Sequence, residues 1–568
     1  MRKPSFFKAF MLCCNIFFIT NPAFAVPNKD EVDVENVKAP PRDVKDILRV
    51  LEGAKQDEKE VEKAKKVLAI PVPSSTNPEV LNSYYYRRSV ADEILGNTKE
   101  SAESLKKVVT EYPSMDPAMV MDEMSQYAAI ESIRGNRILA NQILEQSWGK
   151  ITQNIRGWYV STDRNIINNC LAMGDFDCAK SSLARLENNY YSLSNAKNVK
   201  FQYRLSWEIS FEWMRAKVFM AEGKYIEAER GLRKSLKLNQ DILDSVQDAG
   251  TDAIDNDKRL LQDATSSAKF AYRQRVALMN DLARSYLGQR RLIDAEYWAR
   301  EDVLLSIKRF GVNSTSTTYA LLTLTRVISE QGRQPEAVLL ATAALKSAQQ
   351  STNYAASPAI AEARKALATA LTADGKYAQA DKVFTEMVDG LKSDPEIASR
   401  YQSGDLDWAL ALVRTGKASQ AATMTAQMLG KDEKKFDKNS PRLALIRAFN
   451  ASALQASGQG SQALSEFKQS VPILINQARN DSENATATIR QTQRMTFILE
   501  EYLASLAQQA KTDPSGAAAA EAFQIADLAR GSGVQRALTS SAARANISDP
   551  QLARWHEESR IFSSVLIL

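Results

Sequence analysis

A chain of 568 residues is too long for one compact core unless it is a repeat array. Its 44% hydrophobic and 25% charged residues fit a folded soluble protein. The +5 formal charge comes from interspersed acids and bases, which gives no basic footprint for nucleic acid and no polybasic membrane patch.

The first 25 residues have the three parts of a secretory signal. Arg2, Lys3 and Lys8 form the positive start, Ala9 to Thr20 is mostly apolar, and Ala23-Phe24-Ala25 is a small-x-small cleavage site. The apolar part is shorter than the roughly 20 residues a membrane span needs, so cleavage after Ala25 is expected rather than an uncleaved anchor. Cys13 and Cys14 lack the preceding small residues of a lipoprotein site. The mature chain is then exported, periplasmic or secreted, with a net charge of +2 and no integral membrane segment.

Residues 26–81 read as a linker with one helix. Val26 to Pro41 is charged and Pro-containing, and Arg42 to Ile70 places Val44, Ile47, Leu48, Leu51 and Ala54 on one helical face. Pro71, Pro73 and Pro78 end it. No proline then occurs between Pro117 and Pro335. Together with Ala-rich runs such as Ala366 to Ala380, this predicts an all-α protein of helices joined by short turns.

Residues 82–475 carry one recurring pattern: Gly at a turn, an often aromatic residue two later, and Ala five after the Gly. Gly375-Lys376-Tyr377-Ala378-Gln379-Ala380 and Gly223-Lys224-Tyr225-Ile226-Glu227-Ala228 are the cleanest copies. Gly135 with Ala140, Gly174 with Ala179, Gly332 with Ala337, Gly416 with Ala421 and Gly458 with Ala463 follow, and Ala102 and Ala295 mark weaker copies. Glycine supplies a left-handed helix end without a Cβ penalty, and the small Ala lets the second helix approach the first. A pair of helices cannot bury its apolar face alone, so copies stack.

These residues resemble the tetratricopeptide repeat (TPR). The resemblance implies a right-handed superhelical solenoid of antiparallel helix pairs, about nine of them, with a concave groove for a protein or peptide ligand. From Ala295 the marker recurs every 41 to 43 residues, longer than the usual ~34 and similar to kinesin-light-chain-like arrays. Between Ala228 and Ala295 the interval is 67, so longer helices or an insertion around Asp244 to Asp263 interrupt it.

Aligned on the marker, Lys217, Arg284 and Arg326 fall at one point of successive first helices, usually groove-facing in such repeats. A row of cations there could grip the carboxylates of an extended peptide; the competing reading pairs them with Asp281 and Glu330. Cys170 and Cys178 lie on either side of the turn at Gly174. An oxidising compartment permits a disulfide between them, against the alternative that the hairpin holds two part-buried thiols too far apart.

Residues 476–545 read as a C-terminal helical extension. Ala522-Phe523-Gln524-Ile525-Ala526-Asp527-Leu528-Ala529-Arg530, running into Gly531-Ser532-Gly533-Val534-Gln535-Arg536-Ala537-Leu538, is similar to the connector of bacterial TPR–CHAT proteins. The start of that family resembles residues 38 to 70 with Tyr85-Tyr86-Arg87-Arg88. The resemblance implies a caspase-like domain with a His–Cys dyad after the connector. Here no Cys follows Cys178 and the single His is His556, so that protease activity does not carry over. The apolar tail within 546–568 suggests a truncated or shifted reading frame.

No other pattern supplies chemistry. Gly416-Lys417 lacks the upstream Gly of a phosphate loop, and Gly531-Ser532-Gly533 is not a nucleophile elbow. Ser104/Lys107 and Ser465/Lys468 are coincidental Ser-x-x-Lys spacings on exposed helix faces, and Asp252, Asp255 and Asp257 lack the Gly and closing Glu of a calcium loop. The expectation is an exported, non-catalytic scaffold with no cofactor, binding a protein or peptide and not nucleic acid. The alternative is the regulatory part of a CHAT protease.

Overall fold

The computed structural model describes residues 40–529, apart from 42, 54–57, 197–198, 200, 255–257, 353, 402–403, 435 and 484–487. The expected signal at 1–25, the linker to 39, and the tail at 546–568 with His556 lie outside the described residues.

The chain is all-α, with a TPR-type fold of antiparallel helix pairs. Ahead of the pairs, α1 (Lys45–Gly53) and α2 (Glu58–Leu68) lie within the helix expected over 42–70, whose residues 54–57 are outside the described ones. Nine hairpins follow among the described residues. They are α3 (Pro78–Ile94) with α4 (Thr98–Thr110), α5 (Pro117–Arg134) with α6 (Arg137–Trp148), and α7 (Trp158–Met173) with α8 (Phe176–Ser194). Next come α9 (Phe201–Ala221) with α10 (Tyr225–Ile254), α11 (Lys258–Gly288) with α12 (Leu292–Phe310), and α13 (Thr315–Glu330) with α14 (Gln334–Ser351). Then α15 (Pro358–Ala373) pairs with α16 (Tyr377–Leu391). After the short α17 (Pro395–Ala398), α18 (Leu406–Arg414) pairs with α19 (Ala418–Asp432) and α20 (Pro441–Ala456) with α21 (Gly460–Glu483). Helix α22 (Ile489–Ala510) leads to a further helical stretch at 517–529. The long marker interval is resolved by length: α10 and α11 run 30 and 31 residues, so extended helices carry the extra chain.

Local chemistry sets these boundaries. Asn77, Asp116 and Ser440 each accept a backbone N–H of the first turn, with Pro in the following position. Thr488 and Gln491 form a reciprocal capping box on α22. Every clean marker alanine (Ala140, Ala179, Ala228, Ala337, Ala380, Ala421, Ala463) is 0% exposed, as is Ala295 of a weaker copy, with Ala102 at 5%; Phe384 and Phe467, four residues on, are equally sealed. At the fifth hairpin, which lacks the glycine, Arg290 itself takes the left-handed conformation at φ 62°.

Packing divides the chain into two units. Unit 1 comprises Met1–Leu324, Thr342–Ala363 and Met387–Arg400; unit 2 comprises Thr325–Ala341, Arg364–Glu386 and Tyr401–Leu568. In unit 1 a core from Tyr86 to Val218 links the first four hairpins. Helix α1 buries Ile47, and Val44 just before it is buried too; α1 packs on α12, where Arg300 grips Asp46 at 2.8 Å and the Asp43 carbonyl at 2.7 Å. The turns of the first two hairpins touch residues more than 250 positions later. Arg134 pairs with Asp394 at 2.9 Å and also with Glu396, and Arg400 donates to the Ile133 carbonyl at 2.6 Å. In unit 2 a core from Leu406 to Ile525 joins α18 to α22 and the 517–529 stretch. There Asp407, buried, takes hydrogen bonds from Arg490 and from Arg494 at 2.9 Å.

Two glycines in the same left-handed role differ sharply in surroundings. A Cβ on Gly96 (φ +74°) would run into Thr352 Cβ at 2.5 Å, whereas one on Gly174 (φ +76°) meets nothing within 4 Å. Gly174→Ala is expected to cost only the backbone strain of about 1–2 kcal/mol. Gly96→Ala adds a steric clash with a stiff β-branched side chain, worth about 1–3 kcal/mol more. Equal losses in parallel urea titrations would count against the packing of Thr352 on this turn.

Candidate functional site

Side chains three, six, ten and thirteen residues before a hairpin turn fall on one helical face, because these steps match the 3.6-residue period. In unit 1 that face of the first helices mixes polar residues with apolar ones such as Val90, Ala129, Leu171 and Met220. It carries Glu93 on α3, Ser125 on α5, Arg164 and Asn168 on α7, Trp213 and Lys217 on α9, Asn280 and Arg284 on α11, and Tyr319 on α13. Arg273 continues the stripe one turn earlier on α11.

Hydrogen bonds run along it from one hairpin to the next. Lys217 Nζ donates to Asn168 Oδ1 at 2.6 Å, lies 3.9 Å from Asp281 and 5.8 Å from the Trp213 ring. Trp213 Nε1 donates to Asp281 at 2.8 Å, and Arg284 reaches the other oxygen at 3.1 Å. Asn280 donates to Asp302 and to Thr323 Oγ1, both at 2.9 Å.

Several of these groups touch solvent and yet sit inside surrounding protein. Glu93 is exposed, but burial by its surroundings pushes its carboxyl above the usual range, with Arg273 pulling the other way. Tyr319 is 42% exposed, yet burial, aided by Glu362 and opposed by Arg400, raises its phenol to about 12. Arg164 is half-buried, and burial alone lowers its pKa. These groups thus combine solvent access with a desolvating environment. The interaction of Glu93 with Arg273 brings α3 and α11 within electrostatic reach of each other, although about 180 residues separate them.

Of the cations singled out in the sequence, Lys217 and Arg284 therefore share Asp281 within unit 1. Arg326 is exposed and belongs to unit 2. Arg164, Glu93 and Tyr319 lie in other registers than the cations singled out in the sequence, and Asn168 shares their register but carries no charge. Counting a further turn back from each glycine reaches Arg164 and Ser125.

Cys170 and Cys178 form a disulfide in the structure, with Cα atoms 5.7 Å apart, inside the range a bridge needs. Cys170 is fully buried and Asn141 approaches its sulfur at 3.5 Å. The bridge closes a short loop, so reducing it is expected to lower stability by no more than about 2–3 kcal/mol. Alkylation of both cysteines in the native protein before any reductant is added would show that the bond is absent.

Trp158 and Trp207 are buried, while Trp213 and Trp408 are partly covered. Ser104, expected on an exposed face, is buried in α4 because that face packs against a neighbouring helix. Among the described residues no group of three His, Cys, Asp or Glu could hold a metal ion, and no helix is long and apolar enough to cross a membrane.

No protein-family model matches the chain, and no curated protein matches it either. Solved structures of TPR-like proteins do. The Rap protein complexed with competence and sporulation factor is 11% identical, covering 74% of this chain and 100% of its own, with a TM-score of 0.44. The Podosopora anserina putative kinesin light chain with nearly identical TPR-like repeats is 20% identical over 36% of this chain and 97% of its own, TM-score 0.30. The human IFIT1 dimer with m7Gppp-AAAA is 15% identical over 84% and 99%, TM-score 0.32. The likeness is one of fold: helix pairs of TPR type.

Proposed function

We propose that this protein is an exported scaffold that holds a linear segment of a protein or peptide against the first helices of unit 1, without chemistry of its own. The observation that carries this reading is the polar stripe of Glu93, Arg164, Asn168, Lys217 and Tyr319. Glu93, Arg164 and Tyr319 feel a desolvating environment while still reaching solvent, and Lys217 bonds Asn168 beside them. Enclosed polar groups that keep a wet face are costly unless a ligand completes them. Affinity would come from many shallow contacts along a preformed surface.

The test is a photo-crosslinking amino acid placed at Asn165, beside the stripe, and at Lys180 on the second helix as control, in the native host. Adducts from Asn165 that disappear in the control support the groove. Equal adducts from both positions, or none from Asn165, sink it. Export predicts a mature N-terminus at Val26, which Edman sequencing of the envelope protein reads directly.

A second reading, the regulatory part of a caspase-like CHAT protease, rests on the connector-like segment at 522–538. Of that segment 522–529 is helical and buries Ile525 in the unit 2 core, and 530–538 lies outside the described residues. This reading requires a catalytic domain on the same or a separately encoded chain. Intact mass of the protein purified from its host, together with its co-purifying chains, decides it.

A further inference from the structure

The two ends of the Cys170–Cys178 bridge sit in opposite surroundings. Cys170 lies in the last turn of α7 and is 0% exposed. Cys178 lies in the first turn of α8 and keeps part of its surface in water. The turn between them is open: residues 172–177 are all exposed, and a Cβ on Gly174 would meet no atom within 4 Å. A thiolate arriving from solution therefore has one sulfur to attack. The rate of disulfide exchange depends on which sulfur can be reached and on how well the other one leaves.

The leaving side carries a dedicated donor. Burial disfavours a thiolate at Cys170, and so does the carbonyl end of α7. Asn141 on α6 offsets this, with its Nδ2 donating to Cys170 Sγ at 3.5 Å. The amide is held in that orientation by a chain of side chains. Asn141 Oδ1 accepts from Asn169 Nδ2 at 2.8 Å, and Asn169 Oδ1 accepts from Ser132 Oγ at 2.5 Å. Asn169 is itself buried. A bridge kept only for stability gains little from such a donor, because bonded sulfur is a weak acceptor; a thiolate takes a charge-assisted hydrogen bond. On the reachable side, Asp175 accepts the Cys178 N–H at 2.9 Å, and Asp177 precedes Cys178 in the chain. Their negative charge favours a neutral or cationic attacker over an anionic one.

We propose that the Cys170–Cys178 bridge is a reversible thiol-exchange site, at which a neutral or cationic low-molecular-weight thiol adds to Cys178 and releases Cys170 to Asn141. The incoming thiolate attacks Cys178 Sγ and forms a new S–S bond there. The bond to Cys170 breaks, and its electron pair leaves on Cys170 Sγ as a thiolate. Attack by that thiolate on Cys178 Sγ reverses the step and expels the added thiol. A second small thiol, attacking the sulfur of the first, leaves two protein thiols and a small-molecule disulfide, so two electrons pass to the bridge. The site does not rest on the groove reading above.

The oxidised full chain is treated with 2-mercaptoethanol in native buffer, quenched in acid, alkylated and mapped by mass spectrometry. The mercaptoethanol adduct should sit on Cys178, with Cys170 as the alkylated thiol, and the bridge should open faster than the chain unfolds globally. An adduct on Cys170, or opening no faster than global unfolding, overturns the site. At low salt cysteamine should open the bridge several-fold faster, per thiolate, than 3-mercaptopropionate; the reverse order overturns the class of thiol.

Asn141→Asp keeps the oxygen that accepts from Asn169 and loses the N–H that faces the sulfur. It should slow the opening about tenfold. A merely structural loss would loosen the hairpin and speed the opening, so a faster or unchanged rate overturns the role of Asn141 and the site as proposed. Cys178→Ser leaves Cys170 as a free thiol, and its ultraviolet thiolate absorbance should develop at higher pH once Asn141→Asp is added. An unchanged titration overturns the proposal.

Discussion

Replacing Arg134 with methionine should cost about 3–5 kcal/mol, among the largest losses any single substitution in unit 1 would bring. The side chain is 6% exposed and sits among three carboxylates: Asp394 at 2.9 Å, Glu396, and Glu131 at 4.0 Å. Asp394 is itself 2% exposed, receives the Tyr354 hydroxyl at 3.0 Å and caps α17. Methionine fills a similar volume but leaves Asp394 buried and short of its cation, and this orphaned charge dominates the loss. The contact also joins the turn of the second hairpin to residues 394–400. The damage should therefore be local first: hydrogen exchange at 352–354 and 394–400 should accelerate before the rest of unit 1 opens. Arg284→Ala is the control. Its pair with Asp281 is 49% exposed on the arginine side, and its removal should cost no more than about 1 kcal/mol. Comparable losses for the two variants in urea titrations, or unchanged exchange at 394–400, would show that Arg134 does not hold this contact.

The repeat was legible because its physics is local. A glycine or its substitute must turn the chain, and an alanine five residues later must admit a neighbouring helix. Both demands appear as residue types at fixed spacing, and every clean marker alanine is sealed in the structure. The long interval between Ala228 and Ala295 was visible as an irregularity, but longer helices and an insertion leave the same trace in spacing. The contact of Arg134 with Asp394 left no trace at all. It joins residues 260 apart, and nothing in the neighbourhood of either announces a partner. The side-chain pairing was half legible. Lys217 and Arg284 both meet Asp281, the acid that the competing reading named, but sequence left both that pairing and a free row of cations open. That distinction depends on which hairpin packs beside which, a tertiary fact.

The two units should respond to pH in opposite directions. In unit 1, Asp122 is fully buried, accepts the Tyr86 hydroxyl at 2.6 Å through one oxygen and has no partner for the other. Burial, reinforced by Glu123, pushes its carboxyl up to about 8. Burial likewise raises Glu123 to about 7, despite Asn82 at 2.8 Å, and Asp302 to about 7. Each acid binds its proton more tightly folded than unfolded. Its contribution to stability is complete below the unfolded pKa near 4 and is lost as pH rises through 7 to 8. The loss between pH 5 and 8 is roughly 3–4 kcal/mol for Asp122 and roughly 2–3 kcal/mol for each of the other two. Asp122→Asn keeps an acceptor for Tyr86 and cannot ionise, so it should match wild type at pH 5 and exceed it at pH 8. Asp407 in unit 2 behaves inversely. Burial raises it, but Arg490 and Arg494 more than offset this and hold it below the usual carboxylate range. Its contribution is present above pH 4 and disappears on acidification through its lowered pKa. Hydrogen exchange should therefore quicken around 118–130 as pH climbs toward 8, after correction for intrinsic rates. Around 406–414 and 489–495 it should quicken only in strong acid. A pH-independent difference between D122N and wild type would mean that Asp122 is ionised in the folded protein across the whole range, with a hydrogen-bond donor or cation completing its second oxygen.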